Sequence, residues 1–248
     1  MIAFTVIIPA RMASERLAGK PLCDLGGRTM IERVQEQAWG SGATRVVVAT
    51  EDEQVASVAR AAGGEAVITR CDHATGTDRI AEVTDRLALT DDAIVVNLQG
   101  DEPLMPPVLL RAAAEDLTQH PNASIATLAT PLDSHAVQDP NYVKVVCDAH
   151  GYALYFSRAP IPWPREEDGA EPGRALWLRH LGIYANRAGF LRCFPGLEVP
   201  RIESLERLEQ LRALWHGHPI HIATVNTSPE PGVDTPADLE RVAAYFQG

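Results

Sequence analysis

The stretch Val6-Ile7-Ile8-Pro9-Ala10-Arg11-Met12-Ala13-Ser14-Glu15-Arg16-Leu17-Ala18-Gly19-Lys20-Pro21 runs from an apolar strand into a cationic loop, and the rest of the chain is organised around that junction. Phe4 to Ile8 is an unbroken apolar run, the pattern of a strand covered on both faces, and Pro9 ends it. Arg11, Arg16 and Lys20 then share one loop with Glu15 as its only acid. In an open parallel sheet, ligands bind in the crevice outside the carboxyl ends of the strands, and cations with free backbone N–H groups at such a place suit phosphate. The competing reading is a solvated basic turn.

Working outward, apolar residues at Met30, Ile31, Val34 and Ala38 mark a helix from Thr29 to Trp39, stopped by Gly40 and Gly42. A strand at Arg45 to Thr50, a helix at Glu53 to Ala62, a strand at Ala66 to Thr69, a helix at Thr77 to Leu89 and a strand at Ala93 to Leu98 follow. Alternation of helices with nearly continuous apolar strands predicts an α/β fold with a mostly parallel sheet and right-handed crossovers. After about Asn122 the spacing changes. Ile125 to Thr130, Tyr142 to Cys147 and Ala153 to Ser157 are short segments with turn signals between them, and are expected to pair antiparallel. Pro160 to Arg174 is rich in Pro, Glu and Gly and is expected to be a surface loop. A strand at Leu178 to Tyr184, a short helix at Ala188 to Cys193, one helix at Ser204 to Trp215, a strand at His221 to Val225 and a helix opening at Thr235-Pro236 complete the pattern. On the helix Ser204 to Trp215, Leu205, Leu208, Leu211 and Leu214 make one apolar face, suited to core or dimer contact.

Composition narrows the partners. The 248 residues are 46% hydrophobic and 22% charged, ordinary for one large globular domain with a smaller lobe. A formal net charge of -11 argues against general nucleic-acid binding, so an anionic ligand must be held by a local cationic site. Cys23, Cys71, Cys147 and Cys193 are widely spaced, which points to reduced thiols in a cytoplasm rather than zinc or disulfides. Neither a signal peptide nor an apolar run long enough for a membrane span is expected.

Polar residues cluster where the strands end. Asp101, in Gln99-Gly100-Asp101 beyond a central strand, is placed as an oxygen ligand for magnesium. Asp234, in Gly232-Val233-Asp234-Thr235-Pro236, is either a second metal carboxylate or a helix-capping acid. Ala74-Thr75-Gly76-Thr77 is a small-residue turn into a helix, where N–H groups can meet a base or a phosphate. His180 and Tyr184 fall on one face of their strand, with Arg158 and Glu209-Gln210 as further polar candidates for a carboxylated, hydroxyl-rich substrate. His216, His218 and His221 read poorly as a metal cluster, because one precedes Pro219 in a turn and another is on a strand.

Pro9-Ala10-Arg11 … Arg16-Leu17 … Gly19-Lys20-Pro21-Leu22, Val48-Ala49-Thr50, Thr75-Gly76-Thr77-Asp78-Arg79, Val96-Asn97-Leu98-Gln99-Gly100-Asp101-Glu102-Pro103, Tyr152 to Arg158, Arg179-His180-Leu181-Gly182-Ile183-Tyr184, Leu208 to Arg212 and Gly232 to Pro236 occur in this order. Together they resemble the 3-deoxy-manno-octulosonate (KDO) cytidylyltransferase family, along nearly the whole chain. The blocks around His180 to Tyr184 and Glu209-Gln210 set it apart from sialic-acid relatives. Ala18 stands where the family more often has proline, which frees a φ angle in the loop, and Thr75 where it more often has serine, which keeps the hydroxyl.

The resemblance implies a three-layer, Rossmann-like nucleotidyltransferase fold in a single domain over residues 1–248, with about 125–200 supplying a smaller mixed or antiparallel lobe for sugar binding and dimerisation. It implies transfer of CMP from CTP to KDO with Mg2+ as cofactor, by a cytoplasmic homodimer serving lipopolysaccharide synthesis. Arg11, Arg16 and Lys20 would hold the triphosphate, and Thr75, Gly76 and Gln99 the cytidine. Asp101 and Asp234 would bind magnesium, and with Arg11 and Lys20 carry catalysis, while Arg158, His180, Tyr184, Glu209 and Gln210 would line the sugar pocket. The alternatives are a cytidylyltransferase for another acidic sugar, of sialic-acid or amino-KDO type, and a nucleotide-binding module without chemistry. A module has no need of both Asp101 and Asp234.

Overall fold

Strand β1 (Thr5–Pro9) lies between β2 (Arg45–Thr50) and β4 (Ile94–Asn97) and runs parallel to both in a computed structural model that describes residues 2–12, 17–165 and 177–247. With β3 (Glu65–Ile68), β5 (Ile125–Leu132), β8 (Trp177–Arg187) and β9 (Ile220–Thr224), the strand order is β3-β2-β1-β4-β8-β5-β9. Strand β8 is antiparallel to both neighbours, while β9 is parallel to β5, so every strand of this path except β8 points the same way. The expectation that Ile125 to Thr130 belongs to an antiparallel unit therefore holds for its pairing with β8 but not for its direction in the sheet. Strands β6 (Lys144–Cys147) and β7 (Ala153–Ser157) form an antiparallel hairpin attached to β8.

Helices cover both faces, which is why the central strands are apolar throughout. Val6 and Ile8 pack on one side with α1 (Met30–Gly40), α2 (Glu53–Ala61), α4 (Pro107–Gln119) and Val242 of the C-terminal helix α8 (Pro236–Tyr245). Ile7, Val47 and Val95 face the other side, against Ile80 and Val83 of α3 (Gly76–Arg86) and Leu191 of α5 (Ala188–Cys193). Alternate residues of a strand point to opposite faces, so this division follows from residue order alone. Helix starts are chemically specified: the hydroxyls of Thr29, Thr75 and Thr235 each accept from the backbone N–H three residues on, and the acid there accepts from the threonine's own backbone N–H. Helix α4, in a segment to which the pattern reading assigned nothing, packs Leu109, Leu110, Ala113, Ala114 and Leu117 on the sheet.

The single helix expected from Ser204 to Trp215 is two, α6 (Arg201–Glu206) and α7 (Gln210–Trp215). Arg207 adopts a left-handed conformation, φ 51°, and breaks the run. The Arg212 guanidinium holds the corner by a two-pronged bond to Glu203 at 2.8 and 2.6 Å. The leucine face is divided accordingly: Leu208 and Leu211 are in the core, whereas Leu205 is 70% exposed. Much of the proline-rich loop, 166–174, lies outside the described residues.

Candidate active site

Strand order reverses beside β1, and the crevice at its carboxyl end is the expected ligand position in such a sheet. A cavity of about 710 Å³ opens there, lined by Pro9, Arg11, Lys20, Thr75, Gly76, Gln99, Asp101 and Asp234 among others. The stretches that form it are closely interlocked. Ala10 N–H donates to the Ala49 carbonyl at 2.9 Å, and a Cβ on Gly100 would meet the Pro9 carbonyl at 2.8 Å. The turn after β4 can lie on the end of β1 only because residue 100 has no side chain. Thr75 and Gly76 bring the N-terminus of α3 into the same cavity, where helix N–H groups favour an anion.

Lys20 sits just after a left-handed Gly19, φ 69°, at the start of a short 3-10 turn. Its ammonium donates to Asp101 Oδ2 at 2.8 Å, Asp234 Oδ1 at 3.2 Å and the Val233 carbonyl at 2.7 Å. The Asp234 turn is fixed against Asp101 through its backbone: Val233 N–H donates to the Asp101 carbonyl at 2.8 Å, and a Cβ on Gly232 would meet that carbonyl at 2.9 Å. Thr235, not Asp234, caps α8, with Asp238 completing the box. Of the two roles open to Asp234, the cap is thus filled by its neighbour. Two carboxylates converging on one cationic centre are a donor set that fits a hard divalent cation completed by water and phosphate oxygens.

A second cavity, about 120 Å³, adjoins the first and shares Gly76 and Gln99 with it. Thr77, Asn97, Tyr184, Asn186, Glu209 and Gln210 supply its polar lining over an apolar floor of Ile80, Phe190 and Phe194. Among the described residues Gln210 Nε2 and Asn97 Oδ1 have no hydrogen-bond partner although they are buried, which leaves both open to a ligand or a water. Glu209 accepts from Thr77 Oγ1 at 2.5 Å, and burial raises its carboxyl pKa. The break at Arg207 is what turns Glu209 and Gln210 toward this space.

Two of the expected sugar-site residues line neither cavity. His180 is buried, bonded through Nε2 to Thr127 Oγ1 at 2.9 Å, and burial pushes its pKa down to about 3. Thr127 Oγ1 also donates to the Ile183 carbonyl at 2.6 Å, so its one hydrogen is used there and His180 must donate from Nε2. A bulge at left-handed Gly182 brings the His180 ring 5.3 Å from the Tyr184 ring, behind the cavity wall. The Arg158 guanidinium donates to the Glu206 carbonyl at 2.7 Å and the Pro140 carbonyl at 2.8 Å. Arg16 lies outside the described residues. His216, His218 and His221 have separate partners: the Glu198 carbonyl, Ser124 Oγ and Asp116.

The larger cavity also contains His73 and Arg79, and the smaller one Asn97 and Asn186, none of which was singled out from the sequence. Arg79 joins Glu51 at 2.5 Å, and Glu51 accepts from the Met12 backbone at 3.1 Å, so the loop after β1 is tied to α3. Asn97 carried a usable signal, since it stands two residues before Gln99 and alternation puts both on one side of the strand.

A family model described as cytidylyltransferase matches residues 5–222. A protein of Halorhodospira halophila (strain DSM 244 / SL1) named 3-deoxy-manno-octulosonate cytidylyltransferase is 58% identical, over 99% of this chain and 97% of its own. One of the same name from Alkalilimnicola ehrlichii is 57% identical over 96% and 94%. A solved CMP:2-keto-3-deoxy-manno-octonic acid synthetase, complexed with CTP, superposes with a TM-score of 0.89 at 41% identity over 98% of each chain. A putative glucose-1-phosphate thymidylyltransferase from Bacillus anthracis, TM-score 0.65 at 16% identity over 99% and 96%, shares the fold.

Proposed function

The chain belongs to the cytidylyltransferase family, and we propose that it transfers CMP from CTP to the anomeric hydroxyl of KDO, releasing pyrophosphate and forming CMP-KDO for lipopolysaccharide synthesis. The observation that carries this reading is the pair of cavities meeting at Gly76 and Gln99, one charged and sized for a nucleotide, the other smaller and lined by hydroxyl, amide and carboxyl groups. A transferase that joins a nucleotide to a polyhydroxylated acid needs two such spaces in contact.

In this reading Arg11 and Lys20 bind the triphosphate, and the N-terminus of α3 adds backbone N–H groups to the same anion. A unit charge pair at 4 Å is worth about 4 kcal/mol at an effective dielectric of 20, so two cations are of the order needed to hold a polyanion on an acidic protein. Thr75 and Gln99 face the nucleoside. Tyr184, Glu209 and Gln210 take the sugar hydroxyls, and the unpartnered atoms of Gln210 and Asn97 gain partners when the sugar enters. His180 acts from behind the pocket by backing the Tyr184 ring, whereas Arg158 is engaged with Glu206 and Pro140. The sugar oxygen bonds to the α-phosphorus as the bond to pyrophosphate breaks, so the enzyme's task is alignment and charge stabilisation. Asp101 and Asp234 would hold magnesium, which would supply charge screening and lower the hydroxyl pKa, the two carboxylates being freed for it as the Lys20 ammonium turns to the phosphates.

We further read the protein as a cytoplasmic homodimer, supported by four free thiols and by exposed Leu154 and Leu205, on elements joined through Ser157 and Glu206. The deciding experiment follows pyrophosphate release from CTP and Mg2+ with KDO, with N-acetylneuraminic acid and with no sugar, in the wild type and Asp101→Asn. Release that needs KDO and collapses in the variant is expected. Preference for another acidic sugar overturns the pocket assignment, and no release under any condition overturns the transferase.

A further inference from the structure

At the amino ends of β5 and β9, opposite the cavity, α4 ends against the turn between β6 and β7. We propose that Asp116, His120 and His221 there form a binding site for a transition-metal dication of the zinc class. One ligand atom from each of the three lies within 4.8 Å of the others, and Asp116 and His221 are buried. His120 follows Asp116 by four residues and so lies over it at the end of the helix.

The hydrogen bonds show what the cluster lacks. His221 Nε2 faces the His150 carbonyl at 3.1 Å, and a carbonyl only accepts, so Nε2 carries a hydrogen. A neutral His221 then directs its Nδ1 lone pair at Asp116 Oδ2, 2.7 Å away. Two lone pairs at that distance require a positive centre, which is a shared proton or a metal ion. An imidazole N–H tied to a backbone carbonyl is the outer-shell contact that fixes metal-ligating histidines. The turn is shaped around this ring: Gly151 is left-handed, φ 83°, and a Cβ there would meet His221 Nε2 at 2.7 Å.

His120 Nδ1 lies 2.9 Å from the Asp116 carbonyl and 3.3 Å from Asp116 Oδ1, and its side chain is 30% exposed, which leaves a route for an ion and for completing water. Two imidazoles and a carboxylate suit zinc, cobalt or nickel, whereas the all-oxygen pair Asp101 and Asp234 suits magnesium. Uptake exchanges the shared proton for the ion. It also turns the partly exposed His120 ring out of its stack on His221, centroids 3.4 Å apart, while the His150 carbonyl keeps His221 in place.

The test is a calorimetric titration of chelator-stripped protein with Zn2+, in saturating Mg2+ so that Asp101 and Asp234 are already engaged, with Co2+ absorption as a second readout. One Zn2+ per chain is expected, with affinity weakened about tenfold or more in His120→Asn and in His221→Gln and the Co2+ visible band lost in both. If His221→Gln does not fold, His120→Asn, at a partly exposed position, decides alone. No uptake by the wild type, or unchanged affinity in His120→Asn, overturns the site.

Discussion

Lys20 Nζ donates to Asp101 Oδ2 at 2.8 Å and reaches Asp234 Oδ1 at 3.2 Å, so one ammonium holds together two carboxylates from turns more than a hundred residues apart in sequence. If the proposed assignment of these three groups to triphosphate and metal holds, Lys20 competes for the carboxylates until nucleotide arrives. In Lys20→Met, nucleotide-free protein should bind Mg2+ more tightly than wild type, while kcat/KM for CTP falls about 10²–10³-fold. Mg2+ titration and steady-state kinetics on the same sample check both.

Gly232→Ala tests how the second carboxylate is placed. The new Cβ would lie 2.9 Å from the Asp101 carbonyl, a backbone atom that cannot step aside. A stability loss of about 1–3 kcal/mol is expected, read by denaturant unfolding, together with a raised Mg2+ requirement for turnover.

Glu209→Gln keeps volume and an acceptor for Thr77 but removes the charge that sugar hydroxyls can bind. The KM for KDO should rise about tenfold or more, with the KM for CTP nearly unchanged. A parallel rise in both constants would place Glu209 at the nucleotide instead.

His180 gives the fold an acid sensitivity. Its pKa falls from 6.5 to about 3 on burial, so between those values the unfolded chain binds a proton that the folded one does not. Stability from this group is complete above pH 6.5 and is lost as pH falls toward 3, by up to about 1.4 kcal/mol per pH unit. Urea midpoints measured from pH 7 to pH 4 should fall more steeply for wild type than for His180→Gln.

The sequence alone determined the α/β alternation, the positions of β1, β2 and β4, and the residues Arg11, Lys20, Thr75, Gly76, Gln99, Asp101 and Asp234 that share one cavity. These were legible because apolar strands covered on both faces, glycine stops and capping threonines are local signals, and strand ends in a parallel sheet converge on one crevice. Tertiary structure alone decided the break at Arg207, which the leucine spacing from Leu205 to Leu214 concealed: the Glu203–Arg212 pair and the packing of Leu208 and Leu211 outweigh helix propensity there. It also decided that His180 stands behind the Tyr184 wall and Arg158 is tied to Glu206 and Pro140 while Asn97 and Asn186 line the pocket, and that His221 meets Asp116 rather than its neighbours in sequence. Residue order along an element tells which face a side chain takes, but which distant element packs on that face depends on the closing of the whole chain, and that is set by contacts remote in sequence.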